Sequence, residues 1–190
     1  MPLTTITAPL ALPVSVEEVK SFARVDDAQY DVQIAMLIKA ATAQAEAITG
    51  RALITRTFEL VLDEFPAAEI DLQVPDVRAI VSAKYLDPAG AEQTIAASGY
   101  AVDDASSPSW LLPAAGTAWP ATLTAANAVK VRFTAGYGDT AASVPDDVRL
   151  WIIMHAVEGV QSPDGLRAAD TRGNQYVNGL LDPHRVMRAL

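Results

Sequence analysis

The spacing of apolar residues changes period several times along this chain, and each change predicts an element. In "PVSVEEVKSFARV", Val16, Val19 and Phe22 recur at threefold spacing, and Ser15 is followed three residues later by Glu18 in the form of a capping box. A short helix is expected there. Asp26 or Asp27 can cap a second helix, in which Tyr30, Ile34, Leu37, Ala41, Ala45 and Ile48 recur at three and four until Gly50 stops it. From Arg56 the period becomes two. Phe58, Leu60 and Leu62 alternate with Glu59 and Asp63, and Ile70, Leu72 and Val74 alternate with Glu69, Asp71 and Gln73, as half-buried antiparallel strands do. "IVSAKYLDPAGAEQTI" reads as two strands joined by the turn Asp87-Pro88-Ala89-Gly90. "GYAV" and "AVKVRF" supply further strands, while the Pro-, Ala- and Ser-rich residues 103–127 fit neither period and are expected to form an irregular excursion.

A helical period returns in "SVPDDVRLWIIMHAVEGV", with Ser143 as expected cap, Pro145 in the first turn, and Asp146 and Asp147 near the positive end of the helix dipole. Leu150, Trp151, Ile152, Ile153, Met154, Ala156 and Val157 surround most of this helix, so it must be covered on more than one side. Trp151, Ile153, Met154 and Val157 are therefore read as core or subunit-interface residues. Beyond "SPDG" the sequence keeps neither period and reads as a loop or extended arm ending in "LLDPHRVMRAL". The expected fold class is α+β, a small helical bundle made of two N-terminal helices and the apolar C-terminal helix, with an inserted antiparallel β region and an extended C-terminal arm. The divisions fall at residues 1–53, 54–135, 136–163 and 164–190.

Composition narrows the function classes. The 190 residues are 51% hydrophobic and 19% charged, enough to fold around a sizeable core. No apolar run approaches the roughly 20 residues that cross a bilayer, and the N-terminus lacks the basic start and apolar block of a signal peptide. No cysteine is present, which suits a reducing compartment and excludes thiolate metal sites. The net charge of −9 argues against a general nucleic-acid binder, which would neutralise phosphates with clustered Lys and Arg. Residues 164–190 carry +1, so the rest of the chain carries −10.

Gly136 and Gly138, between a strand and a helix, raise the possibility of a phosphate loop. No Lys or Arg lies between Arg132 and Arg149, and Asp139, Asp146 and Asp147 would repel a phosphate. A strand end, a glycine turn and a helix start account for the stretch. The two histidines, His155 in the apolar helix and His184 in the tail, stand near no nucleophile motif. The doublets Asp26-Asp27, Asp103-Asp104 and Asp146-Asp147 do not converge, because adjacent side chains diverge on helices and strands. No catalytic, cofactor-binding or metal-binding residue is assigned. The expectation is a protein that is not an enzyme and needs no cofactor.

The order of elements carries more than any one residue. "PVSVEEVKSFARVD", "ITGRALITRTFEL", "RFTAGYG" with "VPDDV", and the closing "GLLDPHRV" together resemble the head-tail connector, or adaptor, family of tailed phages and phage-derived gene transfer agents. The resemblance covers nearly the whole chain. It implies a virion structural protein of the neck, made in the bacterial cytoplasm, that forms a ring of about twelve copies below the portal protein. Its partners would be the portal, neighbouring copies and a downstream stopper or tail protein, with DNA passing through the lumen without specific binding and no membrane involved. Portal contact is expected from the C-terminal arm through Leu180, Leu181, Pro183, His184, Arg185 and Arg188, with Leu180 and Leu181 as an apolar anchor and the arginines as charge-assisted donors. The competing reading folds this tail back on the bundle, with Leu181 and Val186 in the core. A different function class is also open: a β-rich glycan-binding or tail or baseplate accessory module using Trp110, Trp119 and Tyr100 as apolar platforms.

Overall fold

The computed structural model describes residues 2–161, 177 and 179–186. They divide into a strand-rich unit drawn from residues 2–9, 55–136 and 186, and a helical unit drawn from residues 10–54, 137–161, 177 and 179–185. The mixed α+β class holds.

The strand-rich unit contains β1 (Leu3–Thr7), β2 (Arg56–Leu62), β3 (Ile70–Asp71), β4 (Val77–Leu86), β5 (Glu92–Thr94), β6 (Tyr100–Asp103), β7 (Trp110–Pro113) and β8 (Val129–Ala135). A five-stranded antiparallel sheet has the order β1-β2-β8-β4-β5, and a second sheet the order β3-β7-β6. The alternation in β2 and β8 sets their register: Phe58 faces Phe133, Leu60 faces Val131 and Leu62 faces Val129, all six buried. The two phenylalanine rings stack with centroids 5.7 Å apart. On the alternate positions Glu59 pairs with Arg132.

The connection between β4 and β5 is the turn expected from Asp87-Pro88-Ala89-Gly90. Gly90 N–H donates to the Asp87 carbonyl at 2.8 Å and Gly90 takes φ +84°, a value that favours glycine. The Asp87 carboxylate accepts from the Gln93 side chain at 2.9 Å and from the backbone N–H groups of Ala89 and Ala91, each at 3.0 Å. These bonds, that of Gln93 foremost, hold its pKa below the ordinary carboxylate range.

Three strand expectations are corrected. Leu3–Thr7, placed with the N-terminal helices, pairs with β2 instead. The alternation Ile70-Leu72-Val74 gives only a two-residue strand. The Asp71 carboxylate accepts from Gln73 N–H at 2.7 Å, and Gln73 turns to φ +66°, so a local side-chain bond ends the ladder while Leu72 and Val74 stay buried. Within the expected irregular excursion, Trp110–Pro113 is a strand, central in its sheet between β3 and β6.

The helical unit contains α1 (Val16–Ala23), α2 (Asp31–Thr49) and α3 (Asp146–Gln161). The capping box of α1 is complete: the Ser15 hydroxyl accepts from Glu18 N–H at 3.1 Å and the Glu18 carboxylate accepts from Ser15 N–H at 2.8 Å. Val19 and Ala23 are buried, but Phe22 is exposed, because α1 stops at Arg24 (φ +57°) and its core-facing stripe runs through positions 19 and 23. Asp27 caps a single 3-10 turn, Ala28–Tyr30, and α2 begins after it. Ile34, Ile38, Ala41, Ala45 and Thr49 form the buried stripe of α2, and Gly50 at φ +71° closes the helix by donating to the Glu46 carbonyl. Ser143 closes a 3-10 turn and does not cap α3, which starts at Asp146.

Val148, Trp151, Ile152, Ile153, Ala156 and Val157 of α3 are all buried, in one cluster with residues of α1 and α2 and with Val177 and Leu181. The approach of α2 to α3 is close at Gly159, where a Cβ would fall 2.6 Å from a Leu37 methyl. Arg149 ties the start of α3 to α1, donating to the Pro13 carbonyl at 3.1 Å and to the carboxylate of Glu18. Ile54 and Gly138 form a parallel bridge.

Ser15, first of all through its backbone N–H, lowers the Glu18 pKa, with a further lowering contribution from Arg149. A carboxylate whose folded pKa is depressed adds stability above its unfolded pKa and loses it as pH falls through the folded value. Ser15→Ala is expected to cost about 1 kcal/mol in urea denaturation at neutral pH. Glu18→Gln is expected to melt below the wild type at pH 7, with the gap closing as pH falls below about 4. A gap independent of pH would contradict the role given to the charge.

Candidate functional site

A polar arrangement in the helical unit surrounds the 3-10 turn Asp182–His184, and it begins from an apolar anchor. Leu181 is 1% exposed and belongs to the core cluster, with half-buried Leu180 packed against the same cluster. Leu181 is therefore not available as a free docking anchor. The backbone turns immediately after it, with Pro183 in the first positions of the 3-10 turn, where its lack of an N–H costs nothing.

Three segments distant in sequence then hold His184. Its Nε2–H donates to the Asp147 carboxylate at 2.7 Å, and its Nδ1 lies 3.1 Å from the Tyr137 hydroxyl. In the neutral ring Nδ1 accepts from Tyr137; in the protonated ring both nitrogens donate. Arg51 Nε–H donates to the His184 carbonyl at 2.7 Å, with its guanidinium 5.8 Å from the centre of the Tyr137 ring. Asp147 also accepts from Val148 N–H at 2.9 Å in the first turn of α3. Both ring nitrogens of His184 are engaged, and the Tyr137–His184–Asp147 chain ties the turn after Leu181 to the segment before α3 and to its first turn. Arg185 pairs with Asp182 at 3.0 Å on the exposed side, a contact worth at most about 1 kcal/mol.

The other residues singled out from sequence are placed as follows. Trp151, Ile153 and Val157 are buried in the helical core and Met154 is partly exposed. His155 stacks on Trp151 at 3.7 Å between ring centroids and its Nδ1–H donates to the Trp151 carbonyl at 2.9 Å. Pro183 and Arg185 are exposed, His184 is half-buried, and Arg188 lies outside the described residues. Val186 is half-buried rather than a core residue.

Each aspartate doublet has local duties. Asp103 accepts from Ser106 Oγ–H at 2.7 Å and from the N–H groups of Ala105 and Ser106, and the Ser106 hydroxyl is the main cause of its lowered pKa. Among the described residues no three His, Asp or Glu side chains gather as the ligands of a metal would, and no helix is long and apolar enough to cross a membrane.

Two of the aromatic platforms of the glycan-binding reading stand apart along their sheet. Tyr100 and Trp110 sit at opposite ends of the β6–β7 ladder, opposite Pro113 and Asp103. Trp119 stacks on Phe65 at 4.9 Å with the planes 9° apart, and its indole N–H donates to the Ala68 carbonyl at 2.7 Å, pinning the excursion to the segment after β2.

No protein-family model and no curated protein matches the chain. Solved structures match along its whole length. A chain from the neck of an empty gene transfer agent particle, computed with C6 symmetry, is 25% identical, with 100% of this chain and 98% of that chain covered and a TM-score of 0.83. A chain from the virion of a native gene transfer agent particle is 26% identical, with the same coverage and a TM-score of 0.81. A chain from the neck of the native particle, computed with C12 symmetry, is 25% identical at a TM-score of 0.80, again over 100% and 98% of the two chains. The chain has the fold of a gene transfer agent neck protein. The resemblance read from the order of its motifs is borne out at full coverage by these neighbours.

The neck-protein fold makes the burial of Leu181 a specific correction to the expected free arm. Leu181→Ala is expected to cost about 2–5 kcal/mol, and His184→Ala about 1–3 kcal/mol, because the clamp loses its centre. Deleting residues 179–190 should lower the melting temperature sharply. A truncated chain that melts with the full-length one would show that the clamp contributes nothing to the fold.

Proposed function

We propose that this chain is a structural neck component of a gene transfer agent or phage-like particle, acting as the head-tail connector that forms a ring below the portal. The observation carrying this reading is the match over 100% of the chain to neck chains at TM-scores of 0.80 and above. The neighbours' necks were computed with C6 and C12 symmetry, which supports a ring of repeated copies and agrees with the number of about twelve implied by the resemblance. A ring of identical subunits needs two different, mutually complementary faces on each copy, so that the rotation closes.

The function is mechanical and non-catalytic in this proposal. One side of the ring meets the portal and the other a stopper or tail protein. Pro183 and Arg185, exposed beside a clamped turn, are better portal-contact candidates than Leu181, whose side chain is committed to the core. DNA passes through the lumen without being gripped. With a net charge of −9 the chain has little means of releasing counterions from a duplex, which keeps passage free of strong binding.

Two measurements test the proposal. Imaging of particles carrying a tagged copy of the chain should place it in a ring at the head-tail junction; a position at the baseplate or on fibres would overturn the connector reading. A gel-shift titration with free duplex at physiological salt should show no retention, and tight binding there would overturn the account of its acidity.

A further inference from the structure

The solvent side of α2 departs from the usual composition of a helix surface. Its exposed positions are Val32, Gln33, Met36, Lys39, Ala40, Ala43, Gln44 and Ala47. Only Lys39 among them is charged. Val32, Met36, Ala40, Ala43 and Ala47 follow one another at spacings of four, four, three and four, so they form a continuous apolar seam opposite the buried stripe of Ile34, Ile38, Ala41 and Ala45. A helix apolar on both sides ordinarily has a second protein surface against it. The seam is nevertheless open in the single chain: Val32 is 74% and Met36 68% exposed.

We propose that this seam is a face through which one copy of the chain docks on a different face of the next copy around the ring, an inference that rests on the neck-ring reading above. Three observations choose a second copy as the occupant. The structural neighbours come from necks computed with sixfold and twelvefold symmetry, an arrangement in which repeated copies lie around an axis. The chain carries a net charge of −9, so copies repel through most of their surface, and the seam is a patch with no acidic side chain and one lysine. Ala40, Ala43 and Ala47 leave the α2 backbone uncovered, so a neighbour can approach to the short interaxial distance of about 8 Å, while Val32 and Met36 supply apolar area at the N-terminal end. Met36, long and unbranched, adapts to a partner surface that differs from its own.

The test uses a photo-cross-linking amino acid at Met36 or, separately, at Ala43, in a tagged chain that replaces the native copy in particle-producing cells. Irradiated particles should yield a ladder of dimers, trimers and higher multimers of this chain, with the cross-links mapping by mass spectrometry to a face other than α2 on the neighbouring copy. Cross-links to another protein, within one chain, or α2 to α2 in dimers only would overturn the inference, as would none at all, even where imaging shows the chain in a neck ring and the proposed function stands. A chain absent from the neck would sink both. Met36→Lys and Ala43→Glu complete the test. Both are solvent-facing changes and should leave the melting temperature of the free chain within a few degrees, while incorporation into particles falls at least tenfold; incorporation at the wild-type level would overturn the inference.

Discussion

The burial of α3 is the constraint on which the helical unit depends. Its buried residues span about 240° of the helix circumference at 3.6 residues per turn, so no single packed neighbour can cover them. The chain meets this requirement with pieces far apart in sequence. Val19 and Ala23 come from α1, Ile34, Ile38 and Ala41 from α2, and Val177 and Leu181 from beyond α3 itself. Gly159 lets α2 close on α3 at Leu37, and Arg149, anchored to Pro13 and Glu18, fixes the start of α3 against the start of α1. The C-terminal turn is part of the same solution. Leu181 fills the core, and the polar clamp around His184 satisfies the backbone and side chains that burial would otherwise strand.

What could be read from the sequence divides along the range of the interactions involved. Ser15 with Glu18, Gly50, and Asp87 to Gly90 act within a few residues, and each was legible because the residue type and the local geometry coincide. The alternation in β2 and β8 was legible for a similar reason, since a half-buried sheet imposes period two. The short strands were not. Leu3–Thr7 has only one half-buried residue in five, so no alternation marks it; β7, "WLLP", shows no alternation either and lies among prolines. In the segment after Ile70 the alternation was real as a burial signal, yet the Asp71 side chain bonded to Gln73 N–H and ended the strand. Periodicity reported which side chains are buried and missed that the backbone had turned.

The clamp illustrates the same limit at the candidate site. His184 stood in a tail of loop-like composition, and its partners Asp147, Tyr137 and Arg51 lie 37, 47 and 133 residues away. Nothing local in the sequence marks that meeting. The one legible sign was the pair Leu180-Leu181 at the head of a polar segment, which fitted either an external anchor or a core contact. The energetic preference follows from α3. An apolar helix with an uncovered side offers Leu181 a place in its own molecule, and burial there removes a leucine side chain from water at a gain of about 1.5–3 kcal/mol without the cost of bringing two molecules together.

The same reasoning separates the two apolar helices. α3 buries Val148, Trp151, Ile152, Ile153, Ala156 and Val157 within the chain, and those residues serve folding, while Met154 stays exposed. α2 covers α3 with one stripe and keeps a second on the solvent side, where Val32 and Met36 have no role in the core. Exposed apolar side chains do not stabilise the folded monomer and favour association. Asp27, Asp147, both histidines, Trp119 and Trp151 are engaged in caps, clamps or stacking, whereas the outer seam of α2 has no such internal duty. The distribution of material suits a protein that works by position: the polar side chains hold its own turns in place, and a nearly uncharged helix face is left for contact in an otherwise acidic molecule.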